Sequence, residues 1–303
     1  MNSDRILVIG SFNADMVTTS PKLPAPGETI LAKDFTLLPG GKGANQAIAT
    51  KRAGGNIDYM GGLGKDRFAE IALNAMQQDK INTDLCVQTD QYPSGVAFVL
   101  VDANSGENMI VVAPGANLFL SSEHLDKIDF GDYGVVLCQL ENRADTVEYA
   151  LKKAKASGCV TILNPAPAQK LSVSMLNVCD IITPNEHELK TLVGLNDSCT
   201  MEEAVKQVLA MGVKHIIVTC GDKGAIDFSA DETKKYPAIK VTAVDTVGAG
   251  DCFNGCLAAA LSQGEPLDKA ITYAVCGASL SVTCKGAQPS MPTRQMILQK
   301  LQG

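Results

Sequence analysis

The residues with the most chemistry in them fall in a few short segments. In Val244-Asp245-Thr246-Val247-Gly248-Ala249-Gly250-Asp251-Cys252-Phe253-Asn254-Gly255, the run Gly248, Ala249, Gly250 opens a helical stretch. Backbone N–H groups at such a start, with the positive end of the helix dipole, make a nest for an anion. Asp251 lies in that first turn, where a carboxylate can simply favour the dipole. Beside an anion hole it can also act as a base, taking a hydroxyl proton while the N–H groups hold phosphoryl oxygens. The segment is not a dinucleotide fingerprint. Phe253 stands where the third glycine of G-x-G-x-x-G belongs, far from the N-terminus.

A second glycine cluster, Pro39-Gly40-Gly41-Lys42-Gly43-Ala44-Asn45-Gln46-Ala47, also precedes a helix. It is either a plain turn and helix start or another set of exposed N–H donors. It is not a P-loop, because Lys42 is followed by Gly43 rather than Ser or Thr. In Ile182-Thr183-Pro184-Asn185-Glu186-His187-Glu188, Asn185 and Glu188 are three apart and share a face if a helix starts there. Asn185 can cap that helix. Glu188 can face a magnesium ion through water, since magnesium takes oxygen ligands and keeps several waters. Thr219-Cys220-Gly221-Asp222-Lys223-Gly224 follows an apolar run and reads as a tight turn at the carboxyl end of a strand. Open α/β sheets bind ligands at that end. His124, His187 and His215 have no ligand-like companions.

The elements that must hold these segments alternate in type. Residues 6–9, 135–140, 160–164, 181–183 and 215–219 are short runs rich in Val and Ile, the pattern of strands covered on both faces. Residues 44–53, 67–77, 145–157, 201–211, 249–263 and 267–283 read as helices. Alternating strand and helix predict a mostly parallel sheet with helices on both sides. Two regions break the rhythm. Residues 15–38 alternate polar and apolar around Pro24, Pro26 and Gly27, and residues 95–102 and 107–112 flank a turn at 104–106, a hairpin signal. Together they predict a small antiparallel sheet projecting as a lid from one domain spanning residues 1–303.

With 33 acidic against 26 basic residues, a net charge of −7 and no Trp, neither a basic nucleic-acid footprint nor a base-stacking surface is expected. No apolar run reaches the roughly 18 residues of a membrane span, and the start lacks a signal peptide's pattern. The ten Cys include no C-x-x-C pair, and several sit in apolar runs, so reduced cytoplasmic thiols are expected. Cys252 and Cys256 are four apart on a helix but have no further zinc ligands nearby.

Taken in order, Gly10-Ser11-Phe12-Asn13-Ala14-Asp15, the Gly40–Gln46 cluster, Asn164-Pro165-Ala166-Pro167, Thr183-Pro184-Asn185-Glu186, Asp245–Asp251 and Lys285-Gly286-Ala287-Gln288-Pro289-Ser290 resemble the ribokinase-like, phosphofructokinase-B-type carbohydrate kinases. The resemblance runs from about Ile6 to Pro292. It implies a three-layer α/β/α sandwich with a mostly parallel central sheet and a small β-sheet lid, clasped with a second copy into a homodimer. It implies transfer of the γ-phosphoryl of ATP to a sugar hydroxymethyl, O5 of D-ribose. Alternatives are a kinase for 2-deoxyribose or a nucleoside and, in another class, a non-catalytic sugar sensor. The sensor could afford to lose Asp251 and the glycines before it.

Residue by residue, the resemblance implies Asp251 as general base beside an anion hole of Gly248, Ala249 and Gly250. Asn13, Asp15, Gly41, Lys42, Asn45, Glu141 and Asp251 itself would face the sugar. Asn185 and Glu188 would lie near the phosphates and Mg2+. The nucleotide would be lined by Thr219, Cys220, Gly221, Asp222, Lys223, Gly224 and Gly250, with the helix near Cys276. A K+ activator would be held by the Asp245 side chain and the backbone oxygens of Val247, Ser281, Cys284 and Gly286, with Ser290 closing the loop. Cys284 stands where these kinases often have Arg, a change to which a backbone carbonyl is indifferent.

Overall fold

Apolar runs too short for helices build the centre of the protein. The computed structural model describes residues 3–195 and 199–303. In chain order its strands are β1 Arg5–Ile9, β2 Asn13–Ser20, β3 Thr36–Gly40, β4 Asn56–Met60, β5 Gly62–Gly64, β6 Val87–Thr89 and β7 Gly95–Asp102. They continue as β8 Asn108–Ala113, β9 Val135–Cys138, β10 Val160–Leu163, β11 Ile181–Ile182, β12 His215–Thr219, β13 Ala225–Phe228 and β14 Thr233–Tyr236. The helices are α1 Lys42–Arg52, α2 Arg67–Gln78, α3 Ser122–Leu125, α4 Ala144–Ala156, α5 Val173–Leu176 and α6 Glu186–Leu192. After them come α7 Met201–Ala210, α8 Ala249–Ser262, α9 Leu267–Ser281, α10 Ala287–Ser290 and α11 Arg294–Gln302.

The central sheet has the order β14-β13-β12-β11-β10-β9-β1-β4. It is parallel from β4 through β12, and β13 and β14 add antiparallel at one edge. Strand periodicity sends neighbouring side chains to opposite faces. Ile6, Val8, Val135, Leu137 and Ile162 pack with α1, α8 and α9 on one side. Leu7, Ile9, Val136, Cys138 and Leu163 pack with α4, α6 and α7 on the other. Two apolar layers on one sheet are the three-layer sandwich the sequence predicts.

In the central sheet the strands added to the expected set are β4, β13 and β14, and β5 and β6 add a separate two-stranded sheet. The first three lie at or next to a sheet edge and carry polar residues such as Asn56, Lys234 and Lys235. Edge strands tolerate charge, so they lack the apolar signature of the centre.

The small second sheet has the order β3-β2-β7-β8. The hairpin is there, β7 pairing antiparallel with β8. The sheet is not wholly antiparallel as expected, because β2 and β7 run parallel from Asn13↔Gly95 to Ser20↔Asp102. A long crossover through α1, β4 and α2 separates them, so both leave the main domain in the same direction. The sheet's strands begin at Asn13 and reach Gly40, beyond the expected 15–38 on both sides.

One helix contact controls the site. A Cβ on Gly255 of α8 would lie 2.5 Å from Ala49 Cβ and 2.7 Å from the Gln46 carbonyl oxygen of α1. Only a glycine lets α8 and α1 approach this closely, and it brings their N-terminal ends side by side.

Candidate active site

Gly248 caps α8 with φ of +78°, a left-handed conformation that suits glycine. No side chain caps this helix start. The Ala249 N–H donates to the Thr246 carbonyl at 3.2 Å. Ala249 therefore does not contribute a free donor to the anion hole, contrary to expectation. Among the described residues, the N–H groups of Gly248, Gly250 and Asp251 have no partner, and they form the nest.

Asp251 is buried beside this nest. Asn45 Nδ2 donates to its Oδ2 and Gln46 Nε2 to its Oδ1, each at 2.9 Å. Burial pushes its pKa up, while Lys42 and the two amide donors oppose the shift. Gln46 Nε2 also donates to Asn164 Oδ1 at 3.0 Å, and Gln139 Nε2 donates to Gln46 Oε1 at 2.7 Å. Asn164 Nδ2 donates to the Thr183 carbonyl, Thr183 Oγ1 to Asn254 Oδ1, and Asn254 Nδ2 to the Gly250 carbonyl. A buried ring of amides thus runs from the carboxylate back to the helix turn that carries it.

The glycine cluster before α1 does not offer a free anion nest. Glu141 Oε2 accepts from the Lys42 N–H at 2.9 Å and from Ser11 Oγ. The Gly43 N–H donates to Ser11 Oγ and the Ala44 N–H to the Ser11 carbonyl. The protein's own carboxylate fills the nest, which fixes Glu141 and presents Lys42 beyond it. Burial pulls the Lys42 ammonium pKa down, but the carboxylates of Asp251, Glu141 and Glu188 raise it further, and the net shift is upward. Gly41, with φ of +88°, packs against the Asn13 backbone, so the cluster and the start of β2 share one wall.

On that wall Asn13 is buried. Its Oδ1 accepts from Asn117 Nδ2 at 2.9 Å, and its NH2 group has no partner among the described residues. Asp15 accepts no hydrogen bond from the described residues, and burial, with Glu141 and Asp251 adding to it, lifts its pKa to about 7. Asn45 Oδ1 is buried without a partner. Free groups of opposite hydrogen-bonding sense facing one space suit a polyhydroxylated molecule.

Asn185 and Glu188 form a reciprocal capping box on α6, each side chain taking the other's backbone N–H at 2.8 Å. Capping fixes Glu188, whose carboxyl also sits in the field of Lys42 and Asp251. Its burial, the largest influence, raises its pKa, and the Asn185 N–H and Lys42 oppose the rise. Thr219 pairs with Pro184 and Asn185 at the end of β12, and residues 221–223 turn back so that the Cys220 N–H meets the Gly224 carbonyl. This puts Thr219, Cys220, Gly221, Asp222, Lys223 and Gly224 next to the start of α6. Cys276 is different. It is wholly buried in α9, with Sγ toward the Ile297 carbonyl of α11, so it cannot line a nucleotide site as expected.

The Asp245 carboxylate joins two loops. Its Oδ1 accepts from the Val247 N–H at 3.0 Å and its Oδ2 from the Gly286 N–H at 2.8 Å. The Val244 and Asp245 N–H groups both reach the Val282 carbonyl. Residues 244–247 and 281–286 are therefore one unit at the foot of α8. Ser290 Oγ donates to the Ala287 carbonyl, which closes the turn after Gly286. The oxygens of Asp245, Val247, Ser281, Cys284 and Gly286 are carboxylate and carbonyl donors, the hard ligands that an alkali cation takes.

Ser11, Gln46, Gln139, Asn117, Asn164, Thr183 and Asn254 had no assigned role in the sequence. Gln139 carried a usable signal, a lone amide inside the apolar run at residues 135–140. A cavity of about 430 Å³ between Gln263, Tyr273, Arg294 and Leu298 lies at the far end of α8. At 1.5 Å per residue that end is roughly 18 Å from Asp251.

Comparison with known proteins agrees with this geometry. The family described as pfkB family carbohydrate kinase matches residues 3–294. A ribokinase from Haemophilus influenzae is 38% identical over 301 residues, covering 98% of each chain. A deoxyribokinase from Salmonella typhi is also 38% identical, over 293 residues and 95% of each chain. The structure of Arabidopsis thaliana ribokinase complexed with ribose and ATP superposes with a TM-score of 0.91 at 32% identity, covering 99% of both chains. A family match from β1 to α11, with relatives this similar along their whole length, means that the chain belongs to the pfkB family of carbohydrate kinases.

Proposed function

We propose that the protein phosphorylates D-ribose at O5, with ATP as donor. The observation that carries this reading is Asp251. A buried carboxylate, raised in pKa, stands beside unpartnered N–H groups and opposite a wall of free polar groups on Asn13, Asp15 and Asn45. The sugar's hydroxymethyl oxygen would give its proton to Asp251 as it attacks the γ-phosphorus, and the N–H groups of Gly248, Gly250 and Asp251 would take the developing negative charge. Lys42 would add positive charge to the same space. The ribokinases among the relatives, one solved with ribose and ATP, support the substrate pair.

The equal identity of a deoxyribokinase gives 2-deoxyribose as a second reading. The free NH2 of buried Asn13 favours ribose, because an unused buried donor costs about 1–3 kcal/mol. A coupled assay of ATP consumption with ribose, 2-deoxyribose, fructose and nucleosides tests both readings. Ribose is expected to give the highest kcat/KM, and a higher value for 2-deoxyribose overturns the assignment. In the same assay Asp251→Asn should lower kcat by roughly 10²–10⁴-fold, the usual worth of general-base catalysis.

Mg2+ bound with ATP would neutralise phosphate charge, and Glu188, fixed by Asn185, is the carboxylate that suits it through water. K+ suits the joined loops of Asp245, Val247, Ser281, Cys284, Gly286 and Ser290. Holding those loops still would keep the N–H nest in place before charge develops. The exposed apolar residues Met109, Ile110, Val111 and Val112 of edge strand β8 support a homodimer formed through the small sheet. A cytoplasmic location fits ten cysteines without a disulfide among the described residues, where no helix is long and apolar enough to cross a membrane.

A further inference from the structure

We propose that Gln46 is a positioning residue that reserves one oxygen of Asp251 for the reaction: it occupies Oδ1 permanently and leaves Oδ2 to take the proton. The inference rests on Asp251 being the base. The two amides on this carboxylate differ in their surroundings. Gln46 is fully buried with both ends engaged. Its Oε1 accepts from Gln139 Nε2, and its Nε2 donates to both Asp251 Oδ1 and Asn164 Oδ1. An amide whose oxygen is already met by a donor cannot turn that oxygen toward the carboxylate without losing its bond and opposing two acceptors. The donor chain Gln139 to Gln46 to Asp251 therefore has one sense.

Asn45 is under no such constraint. Its Nδ2 donates to Asp251 Oδ2, but its Oδ1 is buried without a partner. A sugar hydroxyl entering the site can donate to that oxygen, and Asn45 can turn to meet it. Turning weakens the bond to Oδ2 and frees that oxygen as the hydroxyl arrives. Gln46 stays in place, so the carboxylate cannot rotate with Asn45. Gln139 Oε1 is also without a partner, which leaves Gln139 held mainly through its bond to Gln46.

The remaining charged groups facing Asp251 come from four elements. They are Lys42 of α1, Glu141 after β9, Glu188 of α6 and Asp15 of β2. Lys42 favours the ionised base and the three carboxyls oppose it, so the donors on Asp251 decide how far toward neutral pH its titration moves. Removing the Gln46 donor favours the protonated form, and the acid limb of kcat/KM should move to higher pH.

The test is the pH profile of kcat/KM for ribose with Gln46→Met, Gln46→Glu and Gln139→Met, using the full chain. Gln46→Met should lower kcat by about 10- to 100-fold, the worth of one hydrogen bond to a charged group, with KM for ribose changed less than about threefold. Its acid limb should shift up by about one pH unit. Gln46→Glu keeps the size and the bond from Gln139 but sets a second carboxyl against Asp251, so it should shift the limb further. Gln139→Met leaves Asp251 untouched and should shift it in the same direction by less, which reads the chain even where a change at Gln46 prevents folding. Folded variants that lose activity with an unmoved acid limb overturn the proposal, because a purely structural residue would behave that way. Full activity of Asp251→Asn overturns instead the reading of Asp251 as base. An Asp251→Asn variant that is inactive, alongside unshifted Gln46 variants, sinks the positioning role alone.

Discussion

Asn117 Nδ2 donates to Asn13 Oδ1 at 2.9 Å while its Oδ1 accepts from the Phe12 N–H, so a fully buried residue fixes the Asn13 amide with its NH2 end left free. The free NH2 can donate to a hydroxyl oxygen, and where the ligand lacks that hydroxyl the donor is left without it. Asn13→Met should weaken use of ribose by roughly 5- to 150-fold, the equivalent of about 1–3 kcal/mol, and narrow or invert its preference over 2-deoxyribose. The measurement is the ratio of kcat/KM for the two sugars in wild type and variant. An unchanged ratio would place the reading of that hydroxyl elsewhere.

Potassium should raise the rate well above that in sodium or a bulky organic cation at equal ionic strength. Asp245 ties the Val247 and Gly286 N–H groups together, so Asp245→Ala should lower kcat and flatten the cation dependence at once. Initial rates with the counter-ion exchanged check this, and equal wild-type rates in every salt would remove the cation from the mechanism.

The Asp15 carboxyl titrates at about 7, because burial, Glu141 and Asp251 all disfavour its charge. Sugar hydroxyls donating to it would be held more strongly by the ionised form. KM for ribose should therefore rise as the pH falls below about 7, by at most about tenfold per pH unit. Stability carries the opposite sign. Between about pH 4, the unfolded value, and about 7 the folded chain holds more protons than the unfolded chain, so this group's contribution is full below pH 4 and is lost as pH rises. Asp15→Asn should remove both slopes, seen in KM profiles and in Tm measured across the same range.

Gly255→Ala should separate α1 from α8, since the added Cβ meets Ala49 Cβ at 2.5 Å and the Thr50 nitrogen at 2.6 Å. Overpacking of this kind costs about 1–3 kcal/mol. Thermal unfolding should show Tm lower by several degrees, and kcat should fall because Asn45 and Gln46 ride on one helix and Asp251 on the other. A variant with lowered Tm and wild-type kcat would show that the helix spacing does not set the carboxylate geometry.

The sequence makes the centre of this fold readable because central parallel strands are apolar on both faces. The runs at residues 6–9, 160–164 and 215–219 could be little else. Edge strands β4 and β14, with β13 beside one edge, escape the same test, because polar residues such as Asn56 and Lys235 are tolerated there and the buried Asp58 is paired with Arg5. In the site, Asp251 and Lys42 stand out because glycines frame them. The amides Gln46, Gln139 and Asn117 do not, since an amide in a helix or strand looks the same whether it faces water or another amide. The partly occupied nest at α8 and the filled one at α1 have similar glycine patterns. What distinguishes them is Glu141, about a hundred residues away in sequence. Cys276 was misplaced because nearness of a helix to a site says nothing about which side of it a residue occupies.

The thiols offer a way to time the opening of the two core layers separately. Cys252, Cys256 and Cys276 lie in the layer with α1, α8 and α9, and Cys138, Cys159 and Cys179 in the layer with α4, α6 and α7. All six are buried, and none has a disulfide. An alkylating reagent that meets the chain during denaturation therefore stamps each layer with its own three masses at the moment it loosens. If the sheet holds both layers as one cooperative unit, the six labels arrive together. If the layer that carries α1 and α8 loosens first, its three arrive early, and the order of labelling becomes a record of which half of the enzyme fails.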